Sequence, residues 1–89
     1  MKKKIAVLVR ERQAEALRMA VGLTLADDEV TVFVMGNKLA DDGNIGMSLE
    51  MLQEMGAHIY SDRPENSLAL MSIADIARKL PEFDAVVPY

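Results

Sequence analysis

Eighty-nine residues carrying ten basic and fourteen acidic side chains, a net charge of −4 and no cysteine describe one domain, too short for two. The absent thiols exclude disulfides, thiolate zinc sites, persulfide chemistry and thiol redox catalysis, and a lone histidine, His58, cannot build a multi-histidine metal centre. The acidic balance argues against a nucleic-acid partner, which calls for a basic face. No metal or cofactor is expected. A domain of this length buries only about 60% of the surface its unfolded chain exposes, so self-association is the route left open for added stability.

The chain starts with a basic run, Lys2-Lys3-Lys4, ahead of the apolar stretch Ile5-Ala6-Val7-Leu8-Val9. That stretch stops after five residues at Arg10-Glu11-Arg12, too short for the apolar core of a signal peptide, and no span approaches the ~20 apolar residues of a membrane helix. The expectation is a cytoplasmic protein with no membrane partner. The apolar stretch lacks alternation and reads as a first strand covered on both faces, as in a parallel sheet flanked by helices.

Residues 13–26 have helical spacing. Ala14, Leu17, Val21 and Leu25 form the stripe expected to cover the sheet, while Ala16, Met19 and Leu23 form a second strip round the cylinder. Either a neighbouring element covers the second strip or it is a subunit interface. Glu29 to Met35 is a second strand. After the polar turn Asp41-Asp42-Gly43-Asn44, a second helix spans about residues 47–55, with Ile45, Leu49, Leu52 and Met55 inward and Gly56 closing it. Residues 57–60 make a third, weaker strand. Ser72-x-x-Asp75 resembles a capping box and opens a third helix, with Ile73, Ile76, Ala77 and Leu80 inward and Pro81 ending it. Residues 84–87 form the last strand, and Pro88 after them suits an edge or a strand end. Spacings of about twenty residues between strands call for crossover helices, not hairpins. The expected fold is therefore α/β, a three-layer α/β/α domain whose four-stranded parallel sheet has the flavodoxin-like order 2-1-3-4.

Ligands of open α/β sheets bind beyond the carboxyl ends of the strands. This makes Arg10, Glu11 and Arg12 after strand one, Gly36, Asn37 and Lys38 after strand two, and Asp62 and Arg63 after strand three the candidate binding residues. The turn Arg10-Glu11-Arg12-Gln13 lacks the glycines that bring backbone against a phosphate, which disfavours dinucleotide and Walker-type sites. Asp41-Asp42-Gly43-Asn44 has its glycine out of frame for a calcium loop. Of seven methionines, Met47, Met51 and Met55 recur on one helical flank and read as adaptable packing. His58 and Tyr60 share one face of strand three; His58 is either a hydrogen-bonded structural residue or a general base.

Three stretches together resemble the DsrE-like superfamily of sulfur-relay and related small proteins. They are Lys4 to Val9, then Ala20-Val21-Gly22-Leu23 running through Asp27-Asp28 into the strand that ends Met35-Gly36, and Leu52-x-x-Met55-Gly56-Ala57-His58-Ile59-Tyr60; Phe83-Asp84-Ala85-Val86-Val87 is similar to the family's closing strand. The resemblance implies the fold, assembly as a trimer or hexamer, and a usual fifth strand for which the compressed segment before residue 84 leaves little room. In sulfur-transferring members a cysteine follows the third strand; its place falls at Asp62, and a carboxylate cannot form a persulfide. The functional expectation is a non-catalytic homo-oligomeric binding or accessory protein, with a protein partner in sulfur or redox metabolism. The alternatives are a small enzyme or ligand sensor using Asp62, His58 and Arg10, and an anion- or nucleotide-binding module built on Arg10, Arg12 and Arg63.

Overall fold

The computed structural model describes residues 3–89; Lys2 of the basic lead-in lies outside them. The elements run β1 (Lys4–Val9), α1 (Gln13–Leu25), β2 (Glu29–Val34), α2 (Gly43–Glu54), β3 (His58–Ser61), β4 (Ala69–Leu70), α3 (Ile73–Lys79) and β5 (Ala85–Pro88), with 3-10 turns at Pro64–Asn66 and Leu80–Glu82. Among the described residues no helix is long and apolar enough to cross a membrane.

All five strands are parallel, in the order β4-β3-β2-β1-β5. The class is α/β as expected, but the four-stranded order 2-1-3-4 is corrected on two counts. The sheet has β2 at its centre, where β1 was expected, and it contains an additional strand, β4. Two apolar runs that are both buried look alike in sequence. The discriminating feature is β3, whose exposed His58 and half-buried Tyr60 suit a place beyond β2 and not beside β1. The added strand is only two residues long, below the reach of any periodicity. It is held where Met71 N–H donates to Ser61 C=O at 2.9 Å.

This order explains the layers. The steps β1 to β2 to β3 advance in one direction, so right-handed crossovers place α1 and α2 on one face; the return to β5 runs the other way and places α3 on the opposite face. The core divides accordingly. Ile5, Val7, Val9, Val30, Val32, Val34 and Ile59 meet Leu17, Val21, Ile45 and Leu52 of α1 and α2. On the other face Ala6 and Phe33 meet Ile76 of α3. Phe33 stacks on Tyr60 with ring centroids 5.8 Å apart and meets Phe83 edge-on at 5.9 Å.

The helices keep their expected places with shifted faces. The buried residues of α1 are Ala16, Leu17, Ala20 and Val21. Ala16 therefore belongs to the chain's own core, because α2 packs alongside α1, while Leu25, expected to cover the sheet, is 71% exposed. Met19 is half-buried and its sulfur accepts a hydrogen bond from the Tyr89 hydroxyl at 3.2 Å. Helix α2 begins about a turn earlier than its apolar spacing suggests, because Asp42 is its N-cap, accepting from Asn44 N–H at 2.7 Å. Ser72 caps α3 as expected, accepting from Asp75 N–H at 3.1 Å. Only Ile76 of its expected inner residues is fully buried, and Ile73 and Ala77 are exposed. Gly56 closes α2 at φ +84°, and β5 is an edge strand that ends in Pro88. Since Pro88 has no N–H, Tyr89 supplies the next ladder bond, to Leu8 C=O at 2.9 Å.

Two substitutions separate the observed core from the expected one. Phe33→Ala should cost about 3–5 kcal/mol in chemical denaturation, the range for emptying a buried aromatic site. Leu25→Ser should stay within about 0.5 kcal/mol of wild type, as a surface change does.

Candidate functional site

Beyond the carboxyl ends of β1, β2 and β3, residues 36–40 form a loop held almost entirely by side chains. Gly36 sits at φ +79°, a turn conformation that side-chain-bearing residues resist. Its N–H donates to Asp62 Oδ1 at 3.0 Å, and its carbonyl accepts from Arg63 Nη1 at 3.0 Å. Asn66 Nδ2 donates to Asn37 C=O at 3.2 Å and to Ser61 Oγ at 2.9 Å, while its Oδ1 accepts from Leu39 N–H at 2.7 Å. From α1, Gln13 Nε2 donates to Lys38 C=O at 3.0 Å and its Oε1 accepts from Ala40 N–H at 2.8 Å. Asn37 Nδ2 closes the other side on Arg10 C=O at 3.1 Å. A loop that cannot form a ladder has found its hydrogen bonds in neighbouring carboxamides and charges, as the backbone requires.

This network reassigns several expected site residues. Asp62 and Arg63 grip Gly36 as structural clamps. Arg63 also pairs with Glu65, whose hydrogen bond and charge hold the guanidinium above its ordinary value. Stability from that shift is present below the ordinary arginine value and fades only at higher pH, so it adds no pH dependence in the neutral range. Arg12 lies at the exposed start of α1, 3.9 Å from Glu15. Lys38 contributes its carbonyl to the clamp, and its side chain is exposed. Gln13, Ser61 and Asn66 hold the loop without having been marked by the sequence, since carboxamides in loops carry no spacing signal.

Four of the expected residues do converge. Arg10, Glu11, Gly36 and Asn37, with Met35 and Tyr89, line an open cleft of about 380 Å³. It lies at the point where the chain order reverses, between β1 and β5, the place where open α/β sheets take ligands. Glu11 N–H bridges the two strand ends to Tyr89 C=O at 3.4 Å. The Arg10 guanidinium makes no hydrogen bond or ion pair with the described residues, whereas Arg63 is committed twice. No protein-family model, curated protein or solved structure matches the chain.

The arrangement does not bring His58, Asp62 and Arg10 together. His58 opens β3 and Asp62 follows its end, a separation of about 13 Å at the rise of an extended strand. One proton-transfer site cannot span that distance.

Asn66→Ala should leave the part-buried Leu39 N–H without its acceptor and release Asn37 C=O and Ser61 Oγ, at about 1 kcal/mol. Amide hydrogen exchange should report it locally, with Leu39 N–H losing protection while the β2 amides keep theirs.

Proposed function

We propose that the chain is a non-catalytic, DsrE-like binding or accessory module of the cytoplasm, serving sulfur or redox metabolism. Its working surface is the cleft between the carboxyl ends of β1 and β5. The observation that carries this reading is Arg10, a guanidinium with no acceptor among the described residues, beside a loop whose shape is already fixed. A planar donor on a prepared surface binds carboxylate or phosphate oxygens through two parallel hydrogen bonds. Open space lies where a Gly36 side chain would stand, leaving backbone accessible to such a ligand. The fifth strand supports the family resemblance. The engagement of Asp62 with Gly36 fits a member that does not transfer sulfur.

An anion is thus the expected ligand chemistry. Sulfate or phosphate should raise the melting temperature of the wild type as RT ln(1+[L]/Kd) requires. The gain should vanish in Arg10→Ala and persist in Arg12→Ala. A wild type indifferent to these anions, or an Arg10→Ala variant that keeps the gain, contradicts the reading.

Self-association is the second part of the proposal, as a trimer or hexamer. Its support is the exposed apolar side chains of Met47 and Met51 on α2, in place of Ala16. Sedimentation equilibrium should give a multiple of 9.8 kDa, reduced to one chain by Met47→Glu with Met51→Glu. A concentration-independent mass of one chain for the wild type contradicts it.

A further inference from the structure

The amino edge of the sheet holds a second cavity, between the α3 face and the turn Leu80–Glu82. It has a volume of about 170 Å³. Thr31, His58 and Tyr60 form its floor, because the register sets Thr31 beside His58 and the side chains of one strand face alternate. Phe83 forms a wall.

Thr31 is the informative residue. The residue is only 6% exposed, and its hydroxyl makes no hydrogen bond with the described residues; since none of their buried side-chain polar atoms lacks a partner, that hydroxyl is open to the cavity it lines. A threonine in a strand is ordinary, and its hydroxyl here stands ready to donate to or accept from whatever occupies the cavity. The contrast is Ser61 on the opposite face, fully buried, whose Oγ accepts from both Arg63 N–H and Asn66 Nδ2. The Thr31 hydroxyl, by contrast, is spent on no protein partner among the described residues and faces the cavity.

The rim carries charge of both signs. Lys4 and Glu29 stand side by side in register at the strand ends, and Lys79 and Glu82 face them from α3 and its following turn. None of these four forms an ion pair with a described residue, although three other pairs on the surface do. Two ammonium groups and two carboxylates over an aromatic wall match a ligand carrying both charges. An ammonium group gains from carboxylates and from a ring face, and a carboxylate gains from lysines and a hydroxyl. The volume sets the size. At about 30 Å³ per water-sized atom it holds roughly six heavy atoms, far below a nucleotide.

We infer that this cavity is a binding site for a small zwitterion, a free α-amino acid about the size of glycine or alanine. The inference is independent of the anion cleft, which lies at the other end of the strands.

Titration of the labelled protein with glycine and alanine, followed by NMR, tests it. Saturable shifts should cluster at Thr31, His58 and Tyr60. Acetate and methylamine each supply half of the charge pattern and should bind at least about tenfold more weakly. Thr31→Val removes the hydroxyl with little change of shape and should weaken glycine binding about tenfold; Glu82→Gln on the exposed rim should weaken it several-fold. The inference is overturned if neither amino acid gives saturable shifts, or if acetate binds as tightly as glycine. It is also overturned if the shifts centre on Arg10 and Gly36, or if both folded variants bind like wild type.

Discussion

The six-residue parallel pairing of β1 with β2, from Lys4 beside Glu29 to Val9 beside Val34, is the constraint on which the rest of the molecule depends. It buries both strands between helical layers, each large apolar side chain contributing on the order of 1.5–3 kcal/mol. It also fixes which residues meet beyond the sheet. Because the two carboxyl ends are level, Met35 N–H continues the ladder to Val9 C=O at 2.9 Å, and Asn37 reaches back to Arg10. The level amino ends put Lys4 beside Glu29. A one-residue slip would turn every side chain of β2 to the other face, exchanging Phe33 with the valines.

The two edges built on this register treat polar groups in opposite ways. At the carboxyl edge Asp62, Arg63, Asn66 and Gln13 are consumed in shaping residues 36–40, while the Arg10 guanidinium makes no hydrogen bond or ion pair with the described residues. At the amino edge the polar side chains lining the cavity with Thr31 make no side-chain hydrogen bond or ion pair with the described residues, while Asp84 anchors the strand end through Lys4 N–H at 2.8 Å. Polar residues at the position where ligands bind in this fold class can thus be scaffold. The same residue types at the opposite end remain available. Hydrogen-bond satisfaction separates the two cases, and composition does not.

Most of the element order was legible. Continuous apolar runs marked β1 and β2, Ser72 marked the start of α3, and Gly56 and Pro88 marked ends through backbone rules that act locally. What was not legible was set by tertiary pairing. The strand order turns on β3 lying beside β2, where a weakly apolar sequence is tolerated. The burial of Ala16 turns on α2 lying along α1. The two-residue β4 exists only because Ser61 offers it a carbonyl. Of the candidate site, Arg10, Glu11, Gly36 and Asn37 were legible from their place after strands. The clamp role of Asp62 and the involvement of Asn66 were not, because their partners are 26 and 27 residues away in sequence.

The central position of β2, with the β1 register that follows from it, is tested most directly by backbone NOEs of the labelled protein. The account predicts that Thr31 to Val34 give interstrand contacts to His58 to Ser61 on one side and to Ala6 to Val9 on the other. Contacts joining β1 directly to β3 would contradict it.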